Sequence, residues 1–126
     1  INIGTIPTFG GTQRLPKIVG RAKALEVIIT GRLLSGDEAA SIGLVNEACL
    51  PEELLNRAVS LARQIATKSI TDVEAATRAT TEALEVDIDK GCTLESVLSS
   101  ELTGTYNMKE GLAAFLEKRS PIFKDQ

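Results

Sequence analysis

The chain has 126 residues, 43% of them hydrophobic and 25% charged; that length suits one domain with a core, and no apolar run reaches the roughly 20 residues needed to cross a bilayer. Its 14 Lys and Arg against 17 Asp and Glu, a formal net charge of −3, with 3% aromatics and no tryptophan, supply neither the basic stripe nor the stacking platform of a nucleic-acid binder. Histidine is absent, and Cys49 and Cys92 lack metal-ligand spacing. Ser/His/Asp and Cys/His nucleophiles and most zinc sites are therefore excluded, the thiols fit a reducing compartment, and any acid/base chemistry must come from carboxylates, lysine or tyrosine.

The sequence begins at Ile1 with no methionine, basic n-region or apolar h-region, so no signal peptide is read and an upstream portion is expected to be missing. Residues 1–6 read as the end of a strand, with Ile1 and Ile3 alternating around Asn2 until Gly4 interrupts. Pro7 and the Gly10, Gly11 pair then form a tight turn. A short helix from Thr12 carries Leu15, Ile18 and Val19, and Gly20 is placed as a left-handed cap. Residues 21–30 are almost continuously apolar, the composition of a helix covered on most sides, and Gly31 stops it.

Ser35 with Glu38 three residues on is a capping box, and Gly43 stands just past the end of the short helix it opens. Residues 44–50 read as a short strand. Pro51, Glu52 and Glu53 suit the first turn of a helix reaching about Lys68, with Leu54, Ala58, Leu61, Ala62 and Ile65 on one face. Helical patterns follow near residues 71–84, 93–102 and 108–119; Asn107 is read as the N-cap of the last, with Glu110 at its third position, and Pro121 keeps it from continuing. The division is therefore a mixed portion over residues 1–50 and an all-helical portion over 51–126.

Two stretches carry candidate chemistry. In "TIPTFGGTQRLPKIVG" the glycines fit neither GxxxxGK, since Gly11 stands where the lysine belongs, nor GxGxxG with a downstream acid. Backbone N–H groups leading into a helix N-terminus still suit an anion or a water, while the plainer reading is a turn that packs a strand against a helix. In "EGLAAFLEKRSPIF", Phe115 and Lys118 lie three residues apart, on one helical face that suits an aromatic ring beside a phosphate, as in an adenine nucleotide. The plainer reading has Phe115 in the core and Lys118 with Arg119 as a solvated helix end. The carboxylates Glu26, Asp37, Glu38, Glu47, Glu52 and Glu53 fall on exposed faces or caps, none with the apolar surroundings that raise a pKa, so no catalytic pair is read in this chain.

Taken together, "IGTIPTFGGTQRLPKIVG", "ALEVIITGRLLSGDEAASIGLV" and "MKEGLAAFLEKRSPIF" resemble the enoyl-CoA hydratase/isomerase (crotonase) family, in family order, over essentially the whole chain and over the C-terminal half of the family's usual length. The resemblance implies the α/β crotonase (ClpP/crotonase-like) fold, of which this part is predominantly α-helical with short strands: residues 1–50 end the crotonase core and 51–126 form a helical oligomerisation domain. It implies an enoyl-CoA hydratase, a lyase that adds water across the double bond of a 2-enoyl-CoA to give a 3-hydroxyacyl-CoA in fatty-acid β-oxidation or related metabolism. Two glutamates act as acid and base, and two backbone N–H groups hold the thioester oxygen. One family glutamate directly precedes the residue matching Ile1 and the other lies further upstream, so no catalytic residue is expected in this chain, and the 126 residues alone are expected to be inactive.

The family position whose backbone N–H orients the reacting water, a glycine in hydratases, matches Thr8; Phe115 and Lys118 match residues that contact the adenine and phosphate end of CoA. Acyl-CoA is implied as substrate, with no cofactor and no metal. The partner implied is further copies of the chain, in a trimer or dimer of trimers (a hexamer), and neither nucleic acid nor membrane; the implied location is cytoplasmic in a bacterium and the mitochondrial matrix in a eukaryote. Two other readings are an enoyl-CoA isomerase or other crotonase-family reaction, and a non-catalytic helical self-association module.

Overall fold

A computed structural model describes residues 1–124; the last two positions of the expected helical portion lie outside them. The chain divides into two compact units, Ile1–Leu54 and a second from Leu55 onward. No helix among the described residues is long and apolar enough to cross a membrane.

The first unit holds α1 (Gly11–Val19), α2 (Arg21–Thr30) and α3 (Gly36–Ser41). α1 and α2 pack on each other across a corner at Gly20, and Ala24 is buried. Gly20 takes φ 79° with ψ 157°, so it is an extended corner only a glycine adopts freely, and not the left-handed cap expected; its N–H still closes onto the Pro16 carbonyl at 3.1 Å. Gly31 is the left-handed cap of α2, at φ 60° and ψ 23°. Ser35 caps α3 as expected, its Oγ accepting the Glu38 N–H at 3.1 Å. The capping box is half formed, because the Glu38 carboxylate turns away to Arg32.

Neither expected strand forms among the described residues. In residues 1–6 the Gly4 N–H closes a turn onto the Ile1 carbonyl at 3.1 Å, and Asn2 Nδ2 donates to the Gly31 carbonyl at 3.0 Å. Over residues 44–50, Leu44 and Val45 spend their N–H groups on the Ala39 carbonyl, at 2.9 and 3.4 Å, closing the end of α3. Alternating apolar residues become a strand only where a neighbouring strand offers a hydrogen-bond ladder, and no described residue offers one.

The second unit holds α4 (Leu54–Ala66, which starts at the boundary), α5 (Ile70–Glu82), α6 (Ile88–Leu102) and α7 (Tyr106–Glu117), with α5 packed on α6. α4 begins three residues after Pro51 because residues 51–53 form a turn, with Glu53 N–H on the Leu50 carbonyl at 2.9 Å. α6 begins at Ile88, earlier than the expected 93, since Asp87 Oδ1 accepts the Lys90 N–H at 3.0 Å and caps it. The N-cap of α7 is Thr105, whose Oγ1 accepts the Met108 N–H at 3.2 Å; Asn107, expected there, is a buried position of the first turn with other partners.

Among the described residues only Ala24, Ala39, Leu98 and Ala114 are buried apolar side chains. Long apolar side chains face outward in both units, Ile3, Phe9 and Leu33 in the first and Ile88, Phe115 and Leu116 in the second.

Candidate functional site

The turn before α1 owes its shape to three residues with different tasks. Phe9 and Gly10 both take positive φ, 54° and 87°, which folds the chain tightly enough for the Gly11 N–H to reach the Thr8 carbonyl at 3.2 Å. Gly10 supplies conformation. Gly11 supplies space, because a Cβ there would stand 2.9 Å from Pro7 Cβ. Arg14 stiffens the loop from below, its guanidinium donating to the Phe9 carbonyl at 2.5 Å.

Thr8 itself has no positive φ, so the turn makes no demand for glycine at this position. Its N–H, with those of Phe9 and Gly10, meets no acceptor among the described residues. These donors stand at the positive end of α1, an arrangement that suits a polar oxygen, whether of water or of an anion.

At the other end of the chain, α7 stops at Glu117 and Lys118 takes the left-handed conformation, φ 53° and ψ 41°. Lys118 is therefore a cap residue, not a further position on the helical face of Phe115, which corrects the premise that the two share one face. The cap is closed by the Lys118 N–H on the Phe115 carbonyl at 3.3 Å and the Arg119 N–H on the Ala114 carbonyl at 3.0 Å. Phe115 is 80% exposed, so it is not the core residue of the plainer reading. Arg119 is exposed, as the plainer reading has it, but not free: its guanidinium takes both oxygens of Glu110, at 2.5 and 3.0 Å, and Glu117 at 2.6 Å. Lys118 makes no ion pair among the described residues, which leaves one of two adjacent cations available beside an exposed ring.

In the first unit two carboxylates converge on Arg32, which pairs with Glu26 at 2.8 Å and Glu38 at 2.5 Å. Hydrogen bonds from Lys23 and Arg32 hold Glu26 below its ordinary pKa, and those from Arg32 do the same for Glu38. Groups held as carboxylates in this way are poor proton donors at neutral pH. No group of three or more His, Cys, Asp or Glu that could hold a metal ion occurs among the described residues, and Cys49 and Cys92 are free thiols, half-buried and exposed.

Sequence reasoning missed the polar residues that fasten residues 119–124 to α7. Asn107 Nδ2 donates to Ser69 Oγ at 2.9 Å and to the Lys124 carbonyl at 3.0 Å, while its Oδ1 accepts the Lys124 N–H at 2.9 Å. Glu110 also accepts the Ile122 N–H at 2.8 Å, and the Lys124 ammonium lies 4.3 Å from the Tyr106 ring centroid. No local motif announces such pairings; Pro121, which ends helical continuation, is the one hint that the chain returns along α7.

The sequence model of the family described as "Enoyl-CoA hydratase/isomerase" matches residues 1–126. A probable enoyl-CoA hydratase of Rhizobium meliloti is 40% identical over 98% of this chain and 48% of its own length. The mitochondrial enoyl-CoA hydratase of Pongo abelii is 40% identical over all of this chain and 43% of its own. Among solved structures, the enoyl-CoA hydratase subunit I of Geobacillus kaustophilus superposes with a TM-score of 0.91 at 36% identity, covering 99% of this chain and 49% of that one. The chain thus spans about half the length of the curated relatives it matches. On a match that runs from first residue to last, and on a helical order shared with a solved enoyl-CoA hydratase, this chain belongs to the enoyl-CoA hydratase/isomerase family.

Proposed function

We propose that these residues form the C-terminal part of an enoyl-CoA hydratase that adds water to a 2-enoyl-CoA: the water oxygen bonds to C3, a proton reaches C2, and the product is a 3-hydroxyacyl-CoA. The observation that carries this reading is the turn at residues 8–11, where the Thr8 N–H stands unclaimed at the head of α1. In the proposal that N–H accepts no proton and gives none; it donates a hydrogen bond to the attacking water and so aims its lone pair at C3. Phe115 and Lys118 hold the adenine and phosphate end of CoA, a role supported by the exposed ring and the uncommitted ammonium.

Proton transfer belongs to two glutamates outside these residues, and no cofactor takes part. Residues 1–50 complete the crotonase core and 51–126 pack copies of the chain into a trimer or a dimer of trimers, a role supported by the outward apolar side chains of the second unit. The pathway is fatty-acid β-oxidation or a related acyl-CoA route, in the cytoplasm of a bacterium or the mitochondrial matrix of a eukaryote. A crotonase-family isomerase is the alternative, favoured by the family description that joins both activities.

The test is hydration of crotonyl-CoA, followed as loss of the conjugated thioester absorbance, by the natural polypeptide that contains these residues and by the 126 residues alone. The natural polypeptide is expected to be active and the 126 residues inert, since each absent acid, base or oxyanion donor removes a factor of roughly 10² to 10⁴. Turnover by the 126 residues, or a natural polypeptide that shifts the double bond of a 3-enoyl-CoA without hydrating crotonyl-CoA, refutes the reading.

A further inference from the structure

Lys118 is one of two non-glycine residues with positive φ among the described residues, a conformation that crowds the Cβ of a lysine against its own backbone. Something must hold it there. The two cap hydrogen bonds of Ala114 and Phe115 are available to any helix end and serve glycine far more often than lysine. What this chain adds is a strap: residues 119–124 run back along α7 and are fastened at three places, by Arg119 on Glu110 and Glu117, by the Ile122 N–H on Glu110, and by Lys124 on Asn107.

Glu110 is the hub. Its side chain is 12% exposed, and it accepts three hydrogen bonds, two from Arg119 and one from Ile122. The Phe123 ring lies over Gly111, where a Cβ would stand 3.7 Å from it, so the strap sits close against the helix one residue beyond Glu110. Arg119 directly follows Lys118; fixing the guanidinium on Glu110 fixes the peptide between them, and with it the backbone from which the Lys118 ammonium projects.

We infer that Glu110, acting through Arg119, is a positioning residue that holds Lys118 in its left-handed conformation and so presents the ammonium to a phosphate of the bound nucleotide. The inference rests on the proposed grip of Phe115 and Lys118 on the CoA nucleotide. Glu110 touches no substrate. Its contribution is preorganisation: with the strap in place the backbone that carries the ammonium is already ordered when the phosphate arrives.

The test uses the natural polypeptide containing these residues, with adenosine 3′,5′-bisphosphate and adenosine as probes titrated by NMR or calorimetry. Lys118→Ala is expected to weaken the bisphosphate about tenfold, the worth of a hydrogen bond to a charged group, and to leave adenosine unchanged. Glu110→Gln, which keeps the size of the side chain and an acceptor for Ile122, is expected to weaken the bisphosphate about threefold or more, to spare adenosine, and to add nothing in the Lys118→Ala background. Arg119→Gln is expected to repeat that pattern and decides the matter if Glu110→Gln does not fold. Steady-state hydration should show the same split, a raised KM at unchanged kcat.

An unchanged Lys118→Ala overturns the nucleotide-end reading itself. A weakened Lys118→Ala with a neutral Glu110→Gln, with equal losses in both backgrounds, or with equal losses for both probes, overturns the strap alone.

Discussion

Asn107→Ala isolates the fastening of the strap from any chemistry. Asn107 is 7% exposed and its amide is fully used: Nδ2 to Ser69 Oγ at 2.9 Å and to the Lys124 carbonyl at 3.0 Å, Oδ1 from the Lys124 N–H at 2.9 Å. Truncation removes three hydrogen bonds, but the losses are unequal. Lys124 is exposed, so water replaces its partners and little is lost there. Ser69 is 1% exposed and keeps only Thr71 Oγ1, at 3.0 Å, so its hydroxyl loses a buried partner that water cannot easily replace.

Allowing about 0.5–1.5 kcal/mol for the buried bond and less for each exposed one, with a further penalty for the space left by the amide, Asn107→Ala is expected to cost about 2–3 kcal/mol. Urea denaturation of the natural polypeptide measures this as a lower midpoint at unchanged slope. A double-mutant cycle with Ser69→Ala should return a coupling of about 1 kcal/mol. A cost under about 0.5 kcal/mol, or no coupling, would show that the network satisfies polar groups without holding the strap, and the reasoning from geometry to rigidity would fail.

Three further outcomes are expected. Glu110 is pulled from its ordinary 4.5 to about 2 by its hydrogen bonds with Arg119 and then with the Ile122 N–H. A depressed carboxylate stabilises fully above the unfolded value and loses that contribution as pH falls, so the stability advantage of the native residue over Glu110→Gln should be flat above about pH 5 and vanish toward pH 2; an advantage that grows on acidification would refute the pairing. Thr8→Gly should leave hydration by the natural polypeptide within about twofold, because only the backbone N–H is used and the turn needs no positive φ at that position; a large change in kcat would assign a role to the hydroxyl. Thr105→Ala should destabilise α7 by about 1 kcal/mol in the same urea assay, as loss of an N-cap does, and an effect near zero would return the cap to Asn107.

Local features were legible and long-range ones were not. Ser35 as a cap and Gly31 as a helix stop follow from their own few neighbours, and the structure places both as expected, although the left-handed conformation expected at Gly20 is found at Gly31 instead. Asn107 and Thr105 are both good capping types, and nothing in the sequence says that Asn107 will be withdrawn to serve Ser69 and Lys124, 38 and 17 residues away. The expected strands failed for a related reason: alternation in residues 1–6 states a preference, but a strand is a property of a pair.

The candidate site divides along the same line. Thr8, Phe115 and Lys118 were nominated by matching words, and the structure adds what words cannot carry, an unclaimed N–H, an exposed ring and a cap conformation. Spacing alone put Lys118 on the helical face of Phe115, and the left-handed cap takes it off that face. Glu110 and Arg119 are nine residues apart across a reversal that only Pro121 hinted at.

The left-handed turn at Lys118 bears on how the molecule meets a protease. A trypsin-like enzyme cleaves after lysine and arginine but must first draw several residues on either side into an extended ribbon across its cleft. The Lys118–Arg119 pair, a basic doublet in plain view by composition, is folded into a conformation that no such cleft accepts, with its second residue clamped on two carboxylates. Scission there must wait for the strap to peel away, so the rate of nicking at this doublet reports how often residues 119–124 let go of α7.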